Sequence, residues 1–237
     1  MHDFAGKNIV VVGAGRSGLA LAAYFRDRGG RVVLSDSRSA ERLGPLPDLG
    51  PAVICDLGGH SESLFLAADL VAISPGVPLT LPPVAAALSR GVPVLGEIEI
   101  AGGELDAPLA AITGTNGKST TTSVMGEAFR AWGKRTFVGG NLGIPLIEAV
   151  GTRWDWLVAE ISSFQLEAIE TFHPRYALLL NLTEDHLDRY PDMASYIAAK
   201  MRLFANMTAD DVAVLNAEDP LVMAAAAGLP TRQILFS

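Results

Sequence analysis

Short apolar runs alternate with polar stretches of helical spacing along the whole chain. In the first half, Asn8–Val12, Arg31–Ser35, Ala52–Ile54, Leu70–Ile73 and Val92–Leu95 are rich in Val, Ile and Leu and read as strands. Helical segments separate them, the first carrying Leu19, Leu21, Ala22 and Phe25 and ending at Gly29-Gly30. Residues 44–50 form a Pro/Gly loop. In the second half, the run at Ala110–Ile112 precedes a helix through Val124, Phe129 and Trp132. Strands are expected at Arg135–Val138, Trp156–Ala159, Tyr176–Leu180, Val212–Asn216 and Gln233–Phe236. A helix over Met193–Met207 carries Lys200, and a short one lies between the last two strands. The pattern predicts an α/β protein with a boundary between Glu97 and Pro108, which gives domains over 1–103 and 107–237.

At 237 residues, 49% hydrophobic and 19% charged, the chain can build a core for each domain. The net charge of −8, without a Lys/Arg run, argues against nucleic acid or an anionic membrane as the main partner. Cys55 is the single cysteine, so no internal disulfide can form, which fits a reducing compartment. No signal-peptide pattern and no apolar run near the roughly 20 residues of a membrane span occur, so a cytoplasmic protein is expected.

The chemistry concentrates first at Thr113-Gly114-Thr115-Asn116-Gly117-Lys118-Ser119-Thr120. A strand, a glycine-bearing turn and a helix start make a phosphate cradle. Backbone N–H groups and the helix dipole attract the anion, Lys118 adds a point charge, and the Ser119 hydroxyl can hold Mg²⁺. The usual spacing would put a glycine at Ile112; here it is Gly114, a tighter variant of the loop. A plain turn with an exposed lysine would show the same glycines, but it would not require the adjacent lysine and hydroxyl. The expectation is a nucleoside triphosphate site.

A second glycine pattern, Gly13-Ala14-Gly15-Arg16-Ser17-Gly18, follows the first strand, and Asp36 ends the second. Strand, G-x-G-x-x-G, helix, strand and acid together make the dinucleotide fingerprint, with the acid suited to a ribose hydroxyl pair. Diphosphate and ribose are specified and the base is not, so an NAD-dependent oxidoreductase stays open. The turn Ser74-Pro75-Gly76-Val77-Pro78 leaves a strand end that can face the same crevice, although an ordinary Pro-Gly turn explains it equally.

Further acids end buried strands downstream. Glu160, at the tip of Trp156–Ala159, is placed as a Mg²⁺-anchoring carboxylate. His186, in Asn181-Leu182-Thr183-Glu184-Asp185-His186-Leu187-Asp188, is a candidate ligand of a second metal ion, with Asp185 and Asp188 as supporting or helix-start carboxylates. Lys200, at mid-helix, reads as a snorkelling surface residue with nothing to mark it as catalytic.

From residue 7 to the end, these motifs resemble the Mur ligases: Gly-Thr-Asn-Gly-Lys-Ser-Thr at 114–120, Glu-Ile-Ser-Ser-Phe-Gln-Leu-Glu at 160–167, Asn-Leu-Thr-Glu-Asp-His-Leu-Asp-Arg-Tyr-Pro at 181–191 and Ala-Ala-Lys at 198–200. The Ser-Ser-Phe-Gln-Leu segment and the Asp-Arg-Tyr-Pro tail are most similar to the branch that adds D-glutamate. The resemblance implies a Rossmann-like N-terminal domain that binds a UDP-sugar and a P-loop ATPase-like α/β central domain, incomplete at its C-terminus. Arg16 and Ser17 would then meet the diphosphate, Asp36, Ser37 and Arg38 the uridine end, and Gly76 the same ligand. Gly114, Thr115, Asn116, Gly117, Lys118, Ser119 and Thr120 would hold ATP. Asn141, Ser162 and His186 would line the path to the muramoyl-alanine. Ser119, Glu160, His186 and a carbamylated Lys200 would surround two Mg²⁺ ions, with Lys118, Glu160, His186 and Lys200 as the catalytic set.

The implied reaction joins UDP-N-acetylmuramoyl-L-alanine to D-glutamate at the expense of ATP, through an acyl phosphate, in a cytoplasmic monomer. The resemblance also implies a third domain that binds the amino acid. The chain as given is expected to lack it and, alone, not to form the amide. A non-catalytic nucleotide-binding module and a sister Mur ligase or folylpolyglutamate-type synthetase remain as further alternatives, the fingerprint at Gly13–Gly18 and the Ser-Ser-Phe-Gln stretch counting against the synthetase.

Overall fold

The structure is a computed structural model that describes residues 3–237. Met1 and His2, the start of the expected 1–103 domain and of the stretch searched for a signal peptide, lie outside the described residues. The chain divides into two compact units, 1–104 and 105–237. The stretch expected to hold the boundary begins with a buried helix of the first unit, because Ile98, Ile100 and Ala101 pack inward.

The first unit runs β1 (Asn8–Val12), α1 (Arg16–Arg26), β2 (Arg31–Asp36), α2 (Ala40–Leu43), β3 (Val53–Leu57), α3 (Glu62–Leu66), β4 (Leu70–Ile73), α4 (Pro82–Ser89), β5 (Val94–Gly96) and α5 (Glu97–Gly102). Its five strands are parallel in the order β3-β2-β1-β4-β5. Strands covered on both faces read as unbroken aliphatic runs, and all four residues of β4 are buried. β5 starts later than expected: Pro93 has no N–H to give the ladder, and it joins only through its carbonyl, which accepts from Val71 N–H. The order reverses between β1 and β4, where a parallel sheet opens a crevice at its carboxyl edge. Val12 pairs with both Ser35 and Ile73, so the loops after β1, β2 and β4 leave the sheet at one level. At the helix entry, a Cβ on Gly18 would collide with the Gly13 carbonyl oxygen, so only glycine lets α1 start this close to β1.

The second unit runs β6 (Leu109–Thr113), α6 (Lys118–Ala131), β7 (Thr136–Gly140), β8 (Trp156–Glu160), α7 (Ser163–Leu166), β9 (Tyr176–Leu179), α8 (Met193–Met201), β10 (Val212–Asn216), α9 (Pro220–Ala225) and β11 (Arg232–Phe236). Its strands are parallel in the order β11-β10-β9-β6-β8-β7. Every residue of β6 is buried, and Ile112, Val158, Leu178 and Leu180 form a core under α6, packed by Met125 and Phe129. Ile112 pairs with Glu160 on one side and Leu178 on the other. The phosphate loop, Glu160 and the 181–188 segment therefore leave three adjacent strands at one edge.

Two helices end earlier than their sequence pattern suggests. α6 stops at Ala131, and its Val124 and the following Trp132 stay exposed. The helix expected over 193–207 stops at Met201 and tightens into a 3₁₀ turn at Arg202–Phe204. There the Arg202 guanidinium reaches the carbonyls of Leu166 (2.6 Å) and Ile169 (2.5 Å), which ties the helix end to the last residue of α7 and the turn after it.

Candidate functional site

In the first unit, a cavity of about 490 Å³ lies at the β1/β4 crevice. Val12, Gly13 and Gly15 line it after β1, Asp36, Ser37 and Arg38 after β2, His60 after β3, and Ser74 to Pro78 after β4. Gly76 belongs to this lining, with φ +88°. Arg16 and Ser17 stand on the first turn of α1, beside the glycine loop.

Asp36 corrects the sequence expectation. It is 3% exposed, and both its oxygens are engaged by the protein. Oδ2 accepts from Ala14 N–H (2.7 Å) and Arg38 Nη2 (2.7 Å), and Oδ1 from Arg38 N–H (2.8 Å) and Nε (2.9 Å). The Arg38 side chain, more than burial opposes, holds this carboxyl well below the usual carboxylate range. An acid with every lone pair occupied shapes the glycine loop and aims Arg38. It is not set up to receive ribose hydroxyls, as the fingerprint suggested.

In the second unit, the turn from β6 into α6 ends at Gly117, whose φ of +83° places the left-handed residue at the helix N-cap. Lys118 Nζ folds back and donates to the carbonyls of Gly114 (2.9 Å) and Thr115 (2.7 Å). Thr115 ties this loop to its neighbour. Its Oγ1 donates to the Thr183 carbonyl (3.1 Å), accepts from Thr183 N–H (3.0 Å) and meets the Tyr196 hydroxyl (3.2 Å). Asn116 and Asn181 add a reciprocal pair: Asn116 N–H to Asn181 Oδ1 (2.8 Å), and Asn181 Nδ2 to the Asn116 carbonyl (3.0 Å). Thr120 sits exposed on the first turn of α6.

The structure brings Ser119, Glu160 and Asn141 together. Ser119 Oγ donates to Glu160 Oε2 (2.6 Å) and Asn141 Nδ2 to Oε1 (2.7 Å), so the buried carboxylate is held on both sides. A hydroxyl beside a carboxylate is a hard oxygen set, which suits Mg²⁺. Among the described residues no group of three or more His, Cys, Asp and Glu gathers, so a protein-only metal cage is absent there. Two protein donors fit Mg²⁺, an ion that keeps waters and takes phosphate oxygens for its other positions.

Lys200 is 1% exposed and so is not the surface residue its mid-helix position suggested. One helical turn apart, Tyr196 and Lys200 share the inward face of α8. Lys200 Nζ lies 4.6 Å from the Tyr196 ring centroid and donates to the Gly114 carbonyl (2.9 Å), the same oxygen that Lys118 uses. Burial, with help from the Lys118 charge and against that of Asp185, brings its amine down to about 7.

His186 and Ser162 stand differently from Glu160. His186 has φ +54°, the one positive value among described non-glycine residues. Its ring packs on Phe164 (4.7 Å between centroids) and faces Asp185 Oδ2 at 3.5 Å. Ser162 caps α7, its hydroxyl accepting from Gln165 N–H while Gln165 Oε1 accepts from Ser162 N–H. Sequence reasoning missed His60, Thr183 and Tyr196 as site residues. Tyr196 carried a signal in its i, i+4 spacing from Lys200.

Known proteins match the whole of this arrangement. The Mur ligase middle domain family matches residues 112–237, and the Mur ligase MurD-like N-terminal domain family matches residues 7–96. The UDP-N-acetylmuramoylalanine–D-glutamate ligase of Syntrophotalea carbinolica is 64% identical over 239 residues, covering 100% of this chain and 53% of that relative. The enzyme of that name from Desulfosudis oleivorans is 47% identical, covering 98% and 51%. Among solved structures, the UDP-N-acetylmuramate–alanine ligase of Thermotoga maritima aligns with a TM-score of 0.56 at 26% identity, over 96% of this chain and 53% of that one. The chain spans about half the length of the curated relatives it matches. Because the middle-domain match alone takes in more than half of its residues, the chain belongs to the Mur ligase family.

Proposed function

We propose that the chain provides the UDP-sugar-binding and ATP-binding domains, 1–103 and 107–237, of a ligase that adds D-glutamate to UDP-N-acetylmuramoyl-L-alanine. The reaction belongs to cytoplasmic peptidoglycan precursor synthesis, on which cell shape and division depend, and the enzyme acts as a monomer away from membranes and nucleic acid. The observation that carries this reading is the Ser119–Glu160 contact of 2.6 Å at the edge where the phosphate loop leaves β6. The 64% identity to a ligase of that name supports this choice of substrates.

The first unit holds the nucleotide sugar. Arg16 and Ser17 meet its diphosphate at the start of α1, and Asp36, Ser37, Arg38 and Gly76 shape the uridine end. The second unit holds ATP on Gly114 to Thr120, with Lys118 exchanging its two loop carbonyls for phosphate oxygens. Ser119 and Glu160 are the residues that would hold Mg²⁺, with His186 and a carbamylated Lys200 at a second ion. Bound there, Mg²⁺ supplies neutralisation of the charge on the transferring phosphoryl group. Asn141 keeps Glu160 aimed at this position, and Asn141, Ser162 and His186 border the approach of the alanyl carboxylate.

That carboxylate attacks the γ-phosphorus and ADP leaves, giving an acyl phosphate, and Lys118 stabilises the developing negative charge. The amine of D-glutamate then attacks the activated carbonyl, and inorganic phosphate leaves as the amide forms. Activation is required because a carboxylate at neutral pH is a poor electrophile. A chimera tests the reading: this chain replaces the matching half of the Syntrophotalea carbinolica enzyme, and ATP-dependent incorporation of radiolabelled D-glutamate is measured. Incorporation at a rate near that enzyme's own is expected. A folded chimera that prefers UDP-N-acetylmuramate or a longer UDP-muramoyl peptide to UDP-N-acetylmuramoyl-L-alanine as the acceptor would refute the substrate assignment.

A further inference from the structure

With both Asp36 oxygens occupied by Ala14 and Arg38, the first unit's pocket needs another acceptor for donors at the nucleoside end of its ligand. A carboxylate offers about four lone-pair sites, and Asp36 already accepts four hydrogen bonds. Ser74, at the opposite side of the lining, turns its hydroxyl onto the Gly13 carbonyl (3.2 Å). His60 lines the same cavity as Ser37 and Arg38.

The protonation of His60 follows from its partners. Burial alone would raise the Asp56 carboxyl, but the amide and hydroxyl of Ser61 and the hydroxyl of Ser35 outweigh it and keep the group below its ordinary value. Asp56 is therefore an ionised acceptor. Ser35 is fully buried, and its single hydroxyl hydrogen goes to Asp56 Oδ2 (3.0 Å). The 2.8 Å contact between Ser35 Oγ and His60 Nδ1 must then be donated by the imidazole. In the neutral ring this leaves Nε2, on the other edge, as the acceptor. No hydrogen-bond partner for Nε2 occurs among the described residues. The ring is also fixed in plane by edge-on packing against buried Phe65, with centroids 6.0 Å apart.

We propose that His60 is a specificity-determining residue of this pocket, its Nε2 accepting a hydrogen bond from an N–H or O–H at the nucleoside end of the bound nucleotide. The chain Asp56–Ser35–His60 sets the tautomer that makes this possible. The inference rests on the reading of the pocket as a UDP site and adds the residue that reads the nucleoside.

Calorimetric titration of UDP into the 237-residue chain tests it. His60→Asn can keep a donor near Ser35 but has no atom at the Nε2 position, and should bind UDP about ten-fold more weakly. His60→Gln, whose amide oxygen reaches toward that position, should recover part of the loss. N3-methyl-UDP and 2′-deoxy-UDP each remove one donor, and the His60→Asn penalty should vanish with the analogue that lacks the bonded one. Nitrogen-15 spectra of the unaltered chain should show neutral His60 protonated on Nδ1, with the Nε2 signal moving on UDP addition; this readout needs no variant to fold. If the unaltered chain binds UDP and His60→Asn loses less than about three-fold, or Nδ1 proves unprotonated, the inference is overturned. Failure of the unaltered chain to bind UDP would instead overturn the reading of the pocket, and the role of His60 with it.

Discussion

Replacing Lys200 by methionine should stabilise the chain at low pH, an unusual outcome for the loss of a buried residue that bonds to the Gly114 loop. The lysine side chain is buried with its amine brought from 10.5 to about 7. In the unfolded chain the amine keeps its ordinary affinity for protons. Between pH 7 and 10.5 the unfolded state thus binds more protons than the folded one, so folding becomes more favourable as pH rises. The burial penalty is fully present below pH 7 and gone above 10.5. Each pH unit in this window is worth about 1.4 kcal/mol, which gives an upper bound of about 5 kcal/mol. Methionine has a similar length and no charge, but it forfeits the bond to the Gly114 carbonyl and the contact with the Tyr196 ring, together about 2 kcal/mol. The expected net gain at pH 6 is about 3 kcal/mol, shrinking by about 1.4 kcal/mol per pH unit above pH 7 and changing sign near pH 9. Urea unfolding of both chains at pH 6, 7, 8 and 9, in buffers free of carbon dioxide, measures the difference. A difference that does not vary with pH, or a variant less stable at pH 6, would refute the argument.

Two other perturbations bear on the first unit. Gly18→Ala should cost at least about 3 kcal/mol in chemical denaturation, because the new Cβ overlaps the Gly13 carbonyl, a backbone atom that cannot rotate away. A near-neutral result would contradict the close helix–strand approach. Asp36→Asn should cost about 1–2 kcal/mol at pH 7, discounted because the Arg38 partner is half exposed. Since the folded carboxyl is depressed, its stabilisation is present above the unfolded value near 4 and is lost as pH falls. Melting curves of the two chains should therefore draw together as pH falls below 4, and a gap that is no smaller at pH 2.5 than at pH 5 would count against the clamp.

Much of the fold was legible because parallel strands buried on both faces leave unbroken aliphatic runs, as in β1, β4 and β6. The phosphate loop was legible for a different reason: its glycine, lysine and hydroxyl are adjacent in sequence, and their chemistry depends on local backbone shape. Glu160 could be placed because a strand tip has a fixed relation to its neighbours. The burial of Lys200 could not, since it depends on which side of α8 meets a loop 86 residues away. The occupation of Asp36 was hidden likewise, because a fingerprint specifies an acid at the strand end without showing what it already binds. His60 follows β3, whose residues are only partly buried or exposed and so gave a faint pattern. Its meaning rests on Asp56, four residues upstream on β3, and on Ser35 of the neighbouring strand β2, 25 residues away in the chain.

The central claim is that the chain carries two independent anion sites, one for a uridylated sugar and one for the nucleotide that energises its carboxyl group. Calorimetry on the 237-residue chain and its Lys118→Ala variant, titrated with UDP-N-acetylmuramoyl-L-alanine and then with a non-hydrolysable ATP analogue and Mg²⁺, tests it most directly. One equivalent of each should bind the unaltered chain, and the variant should lose the second while keeping the first unchanged. Competition between the two ligands for a single site, or undiminished ATP-analogue binding by Lys118→Ala, would contradict the account.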